Sequence, residues 1–368
     1  IDLGKDCSTA EINPLFSDSV YIDRLSRIPA IMEMPYNDII RKFIDMYAGR
    51  LRNQVSFMLS ACNFYMPIFE EALDAYGLPL ELRYLPIIES ALNPSAVSRA
   101  GASGLWQFMI GTGKIYGLES NSLVDERRDP IKATWAAARY LKEMYDIYGD
   151  WNLVIAAYNC GPGTINKAIR RANGETDYWK IYNYLPKETR GYVPAFIAAN
   201  YVMTYYCDHN ICPMETNIPA STDTVQVNKN LHFEQIADLC NVPLDQIKSL
   251  NPQYKKQMIP GDSKPYTLRL PIDAISTFID KQDTIYAHRA DELFRNRKTV
   301  AVKEITPSTR KTTTAVAGKG KLTYYTIKSG DTLSTIAGKY GVTIKDIQRW
   351  NGMSNTKIAA GKRLKIYK

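Results

Sequence analysis

From Tyr36 to about Cys212 one pattern recurs. "DIIRKFIDMYAG", "MPIFEEALDAYG", "PIKATWAAARYLKEMYDIYG" and "VPAFIAANYVMTYY" each carry apolar residues at i, i+3, i+4 and i+7. That spacing lines one face of a helix. Gly or Pro punctuates the segments. Short amphipathic helices must bury their stripes against one another, so a mostly α domain is expected over residues 36–215. Hydrophobic residues make up 45% of the 368 positions, enough for a core, and this length sets two or three domains. Residues 1–35, with Pro14, Pro29 and Pro35, read as an irregular segment.

Within the helical region, Glu89 lies at the end of an amphipathic stretch, "YLPIIESALNPSAVSRAGASGLWQFMIGTG". Leu85, Ile87, Ile88, Ala91 and Leu92 surround it with apolar side chains, and Asn93-Pro94 is expected to end the helix a turn later. A carboxylate in the last helical turn faces the negative end of the macrodipole, and apolar neighbours penalise its charged form. Both effects raise the pKa, as a general acid at neutral pH requires. A helix-end glutamate pointing to water would carry the same local sequence. Downstream, Gly101, Gly104, Gly111 and Gly113 permit close backbone approach to a ligand, while Trp106, Gln107 and Met109 supply an apolar wall and an amide. The "DERRDP" run, Asp125 to Pro130, reads as a capped, ion-paired loop before a helix.

The segment "ESALNPSAVSRAGASGLWQFM" resembles the signature of family 23 glycoside hydrolases, the lytic transglycosylases and goose-type lysozymes. "AAYNCGPGTINKAI" (156–169) and "LPKETRGYVPAFIAA" (185–199) are similar to that family's A-Y-N-x-G-P-G and E-T-R-x-Y-V blocks, in the same order. The resemblance implies a lysozyme-like fold and action on peptidoglycan. It implies that Glu89 protonates the glycosidic oxygen and then, as carboxylate, removes the C6 hydroxyl proton of N-acetylmuramic acid, leaving a 1,6-anhydromuramoyl end. Because that attack is intramolecular, no second carboxylate is required to bring in a nucleophile. By the same resemblance Ser98 and Gln107 hydrogen-bond sugar or Glu89, and Met109 forms part of the cleft floor. Tyr158 and Asn159 line the cleft, and Tyr192 steadies the oxocarbenium-like centre or Glu89. Glu188 positions substrate or pairs with Arg190. Hydrolysis by water, as in a goose-type muramidase, and a non-catalytic wall-binding scaffold are the alternatives.

The C-terminal part contains a repeat. Shifted by 100 positions, the segment 222–272 registers on 321–368: Ile236 on Ile336, Ala237 on Ala337, Val242 on Val342, Ile247 on Ile347, Asn251 on Asn351 and Gly261 on Gly361. Each copy reads strand, two short helices, strand. The tail copy, "YYTIKSGDTLSTIAGKYGVTIKDIQRWNGMSNTKIAAGKRLKIY", is similar to LysM modules, which bind N-acetylglucosamine-containing glycans. That likeness implies one loop at Gly330, Asp331 and Thr332 facing a second at Asn351, Gly352 and Ile358 across the sugar, with Asp331 or Thr332 capping a helix. The middle copy has "NKNL" where the tail has "SGDT", which leaves its sugar binding open. Residues 273–320 read as a connecting segment that runs into a flexible basic linker, "TPSTRKTTTAVAGKGK".

Charge divides the chain in the same place. Residues 295–368 hold 17 Lys/Arg against 3 Asp/Glu, while residues 1–294 hold 29 against 35. A basic tail suits an acidic polymer, and the LysM-like motif favours glycan strands over nucleic acid. Six cysteines permit disulfides, with Cys207 and Cys212 close enough for a local bridge or else free thiols. With three histidines and no metal-ligand spacing, neither metal nor cofactor is expected. The start, "IDLGKDCSTAE", has no basic and apolar leader, so an exported form is expected to be mature or trimmed. The expected setting is the periplasm or cell envelope, with outer-membrane attachment through a lipid or leader outside this chain, and a monomeric state.

Overall fold

In a computed structural model the described residues are 12–295 apart from 217 and 220, 303–305, and 322–367 apart from 329, 354 and 357. Two compact units emerge, Ile1–Ile305 and Thr306–Lys368. The basic linker expected over 306–321 lies outside the described residues.

The first unit opens with the helical domain: α1 (Asp18–Ser26), α2 (Asp38–Asp45), α3 (Arg52–Ala75), α4 (Leu85–Ser90), α5 (Ile110–Ile115), α6 (Pro130–Tyr148), α7 (Trp151–Cys160), α8 (Pro162–Arg171), α9 (Tyr178–Ile181), α10 (Lys187–Arg190) and α11 (Tyr192–Thr204). Residues 1–35 are therefore not irregular throughout. Helix α1 buries Tyr21 and Leu25, four residues apart, against the domain core. Pro14 and Pro29 bracket that helix rather than interrupt it. At the centre runs α11, in which every residue from Phe196 to Met203 is buried. A helix apolar on all sides must be enclosed; α2, α4 and α7 pack around this one. Helix α6 starts where the sequence demands it. Asp129 accepts from the amides of Ile131 and Lys132, Pro130 occupies the first turn, and Gly149 closes the far end at φ 60°.

The middle module comprises β1 (Thr222–Val227), β2 (Asn230–His232), α12 (Phe233–Cys240), α13 (Leu244–Leu250), β3 (Met258–Pro260) and β4 (Tyr266–Pro271). β1 pairs antiparallel with β4, from Thr222 opposite Pro271 to Val227 opposite Tyr266. This is the expected strand, helix, helix, strand order. A second antiparallel pair, β2 with β3, lies within it and was not expected. The segment after residue 272 also departs from the connecting stretch expected there. It forms α14 (Ile272–Asp280), α15 (Gln282–Ala287) and α16 (Ala290–Leu293), and Ala274, Phe278 and Ile285 enter the module's core. Ala274 and Phe278, four apart, share one face of α14, and Ile285 adds a contact from α15. Farther on, Lys303 O accepts from Ser122 N, and Ile305 N donates to Ser120 O, which ties residues 303–305 to the helical domain.

The tail unit contains β5 (Leu322–Thr326), α17 (Leu333–Tyr340), α18 (Ile344–Asn351) and β6 (Arg363–Tyr367). β5 and β6 pair antiparallel, and Tyr325, Ile336, Ile347, Trp350, Leu364 and Ile366 form a separate core. The architecture is thus a mostly α domain followed by two small α+β modules.

Because Phe278 is 1% exposed, Phe278→Ala should destabilise the middle module by about 3–5 kcal/mol. Urea denaturation reads this directly; an unchanged midpoint would return α14 to the status of a connector.

Candidate active site

Helix α4 stops at Ser90 because Ala91 and Leu92 both take left-handed backbone, at φ 51° and 57°. The helix therefore ends ahead of Asn93-Pro94. Non-glycine residues rarely hold this conformation, and here the buried Leu92 side chain anchors it. Ser90 Oγ lies 3.0 Å from Pro86 O and 2.9 Å from Leu105 O. The serine of the E-S pair thereby ties the helix end to an irregular strap, residues 96–108.

That strap carries Gln107, at φ 49°. The Gln107 amide donates to Gly104 O at 2.8 Å and to Ala96 O at 3.3 Å, so it secures the strap instead of bonding Glu89. Ser98 is exposed, and its Oγ accepts from Ala102 N at 3.0 Å. Gly104 cannot be any other residue, since a Cβ there would lie 1.7 Å from Arg127 O.

Glu89 is half-buried, and Tyr192, the first residue of α11, donates its hydroxyl to Oε1. Burial pushes the Glu89 pKa up to about 7, and the Tyr192 hydrogen bond pulls against that rise. Near neutrality the group therefore exists as both acid and carboxylate. Burial also drives the phenols of Tyr158 and Tyr192 well above their ordinary range, with the Glu89 charge adding to it, so both are neutral hydrogen-bond donors.

A cavity of about 410 Å³ opens in front of Glu89. Ser98 and Gln107 line it, together with Tyr47, Gln54, Met58 and Val97. Among its described lining residues Glu89 is the one acid. A larger cleft, about 940 Å³, lies between Phe57 and Phe64 of α3 and Gln246 and Ser249 of the middle module, but it contains none of the expected site residues. The smaller cavity is the better candidate because it holds the perturbed carboxyl.

The remaining expected residues divide. Tyr158 donates to Trp106 O at 2.7 Å and so supports the strap. Asn159 is exposed and accepts from Thr189 Oγ1 at 3.0 Å. Met109 is 45% exposed at the start of α5 and lies outside the lining of this cavity. Glu188 is exposed on α10, and Arg190 donates to Leu185 O and Asn183 O; the expected Glu188–Arg190 pair is not formed. Tyr47, Gln54 and Met58 were missed. Tyr47 sits on a wide π-helical turn, Met46–Arg50, and the other two share a face of α3, so only folding brings them beside Glu89.

In the tail module Thr332 is the N-cap of α17, and the Asp331 carboxylate accepts from Lys328 N and Tyr325 OH, each at 2.8 Å. Gly330 takes φ 88°, and Gly352 closes α18 at φ 63°. The Asn351 amide bridges Ile347 O and Lys365 O, while Ile358 packs against the core. Several residues expected at the sugar therefore also hold the loops in shape. Cys62, Cys160, Cys207 and Cys240 keep their thiols, whereas Cys212 is disulfide-bonded, so the local Cys207–Cys212 bridge is not formed. Burial pushes the Cys160 thiol up, which leaves it a poor nucleophile.

Comparison with known proteins agrees with this division of the chain. Residues 66–181 match the model of the transglycosylase SLT domain, 221–287 that of the lytic transglycosylase MltD LysM-like domain, and 325–366 that of the LysM domain. The membrane-bound lytic murein transglycosylase D of Escherichia coli K12 is 32% identical over 341 residues, 91% of this chain and 70% of that protein. The soluble lytic murein transglycosylase of the same organism is 33% identical over 124 residues, 32% of this chain and 19% of the relative. The crystal structure of the 70 kDa soluble lytic transglycosylase Slt70 from E. coli aligns at 28% identity, covering 41% of this chain and 26% of its own. Its TM-score is 0.34, too low to bear on the fold. The chain belongs to the lytic murein transglycosylases and, within them, to the family of membrane-bound lytic murein transglycosylase D.

Two outcomes follow from the raised Glu89 pKa. The unfolded chain releases this proton near pH 4.5 and the folded chain near pH 7, so between these values the folded state binds more protons. Glu89 thus costs stability progressively as pH rises through that window. Glu89→Gln removes the cost, and its thermal midpoint should exceed that of the parent at pH 8 but not at pH 4, by about 1–3 kcal/mol of stability. Tyr192→Phe deletes a bond that favours the carboxylate, so the falling limb of the pH–rate profile should move to higher pH; a limb that moved lower would reverse the assigned sign.

Proposed function

We propose that this chain cleaves the β-1,4 bond between N-acetylmuramic acid and N-acetylglucosamine in peptidoglycan without hydrolysis, releasing 1,6-anhydromuramoyl ends. The observation that carries the reading is the single half-buried carboxyl, Glu89, with a pKa near 7, in a cavity whose described lining offers no second acid. Hydrolysis by two carboxyls needs a partner across the sugar ring. A reaction served by one group that first gives and then takes a proton does not.

In this mechanism the neutral Glu89 protonates the leaving glycosidic oxygen. The carboxylate so formed keeps the hydrogen bond from Tyr192 and removes the proton of the muramoyl C6 hydroxyl as that oxygen closes on its own anomeric carbon. Closure within one sugar avoids the entropic cost of recruiting a water. Ser98 and Gln107, on the cavity wall, hold the sugar through the faces that their own backbone bonds leave available. The tail module binds glycan through the loops at Gly330–Thr332 and Asn351–Ile358, and keeps the catalytic unit near its polymer. Action in the cell envelope fits both the disulfide at Cys212 and the name of the E. coli relative.

Glu89→Gln should lower kcat on isolated glycan strands by at least about a thousandfold. Mass spectrometry of the digested wall should find anhydro ends, and reducing muramic acid in their place would assign the goose-type hydrolysis instead.

A further inference from the structure

The middle module grips the helical domain by the loop that precedes α6. Leu123 and Val124 of that loop are buried in the module's own core. Asp125 N donates to Gln253 O at 2.9 Å, and Lys255 N donates to Leu123 O at 2.8 Å. The Lys255 ammonium reaches Asn121 O at 2.8 Å and lies 3.7 Å from the Asp125 carboxylate. At the edge of this contact Lys264 pairs with Glu119 at 2.7 Å.

From Asp125 the connection continues toward the candidate site. Its two carboxylate oxygens receive Nε and Nη2 of Arg127, both at 2.8 Å, in an ion pair only 2% and 5% exposed. The remaining terminal nitrogen of Arg127, Nη1, donates to Gly101 O at 2.8 Å and to Phe108 O at 2.9 Å, the two ends of the segment that carries Gln107. Arg128 adds a bond from Nε to Ser103 Oγ at 3.1 Å. The Arg127 guanidinium thus touches both the docked loop and the strap, and its planar fork fixes both at once, while Arg128 spans them more loosely, 4.0 Å from the Asp125 carboxylate.

The same module differs from its tail counterpart at the two loops expected to flank a sugar. At the position of Asp331 it has Leu231, fully buried, and at that of Ile358 it has Met258, 1% exposed. The β2–β3 ladder pairs Asn230 with Pro260, Leu231 with Ile259 and His232 with Met258, which zips together the two loops that would flank a sugar. The second of these loops continues into Gln253, Tyr254 and Lys255, the residues that hold the helical domain.

We infer that the middle module is a fixed brace for the Gln107 strap, with Arg127 as its positioning residue, and that it does not take up glycan. The inference rests on the reading of the Glu89 cavity as the active site. Removing the brace lets the strap move relative to Glu89 while the helices around α11 stay folded.

Two variants of the full chain test this. Arg127→Lys keeps the charge and loses the fork, and Lys255→Met loses the tie across the contact. For Arg127→Lys, kcat on isolated glycan strands should fall about tenfold or more with KM within about twofold, the pattern of a misplaced group rather than weakened binding. Lys255→Met should show a smaller loss of the same kind. Hydrogen exchange without substrate should quicken over residues 98–108 in both and stay unchanged over α6 and α7. That readout stands whether or not Glu89 proves to be the acid. Unchanged turnover or unchanged strap exchange in the folded variants would overturn the brace. Exchange of the parent chain with an N-acetylglucosamine tetramer tests the other half. No added protection is expected over 229–232 and 251–258, and protection there would show that the module binds sugar.

Discussion

The backbone from Ala96 to Phe108 runs beside the Glu89 carboxyl with neither helix nor extended ladder to satisfy its polar groups. A buried carbonyl without a partner costs about as much as a lost hydrogen bond, so each one near the site needs a donor from elsewhere. Ser90 supplies Leu105 O, Tyr158 supplies Trp106 O, Gln107 supplies Gly104 O, and Arg127 supplies Gly101 O and Phe108 O. These donors come from α4, α7, the strap itself and the loop before α6. Much of the catalytic domain's geometry here follows from this one requirement: an irregular shape at the cavity wall is held by a few backbone bonds of its own, such as Ser103 N to Phe108 O and Gly104 N to Ala96 O, and by side chains sent from several elements.

The electrostatics of the site follow from the same enclosure. Packing the strap against α4 removes water from Glu89, which favours its neutral form, and Tyr192 returns part of that stabilisation to the charged form. The balance leaves the group near neutrality, where it exchanges a proton in either direction at little cost. The buried Asp125–Arg127 pair answers to different terms. There burial also opposes charge, but the guanidinium, followed by Lys255 and Arg128, outweighs it and holds the Asp125 carboxyl below its usual range. Such a pair contributes little net stability over an apolar substitute, yet loss of one partner costs about 3–5 kcal/mol. Its value lies in geometry: it fixes where Gly101 and Phe108 sit.

Legibility in the sequence tracked how local each cause was. The helices of the catalytic domain, the cap at Asp129 and the chain reversal at Gly149 are written in adjacent residues and were readable. So was Glu89, whose apolar neighbours and helix-end position lie within a few residues. Helix α14 was hidden because its face of Ala274 and Phe278 is short and follows a strand without a break. Tyr47, Gln54 and Met58 gave no local signal, since their place at the cavity depends on how the turn Met46–Arg50 and α3 pack beside Glu89. Met109 lies outside that cavity for a local reason: two residues after Gln107, it precedes the first turn of α5, where the strap ends, and is exposed. The "DERRDP" run reads as an ion-paired loop and is one, but nothing within it indicates that Arg127 reaches across to Gly101 and Phe108.

The two repeat copies show how one fold serves opposed demands. Both keep the asparagine that bridges the second helix to the last strand, Asn251 to Arg269 and Asn351 to Lys365, each accepting the strand amide and donating to its carbonyl. That shared bond sets the module's frame. Outside it the copies diverge according to what the loops must face. In the tail, Gly330 and Asp331 leave the turn polar and accessible. In the middle, apolar Leu231 turns inward, an extra ladder forms, and the opposite loop commits the Lys255 amide, the Gln253 carbonyl and the Lys255 ammonium to the helical domain. A loop that commits backbone groups and a lysine to a neighbouring domain has fewer groups left for a ligand. Docking and glycan capture therefore compete for the same atoms, and a chain that needs both gains by dividing them between two copies.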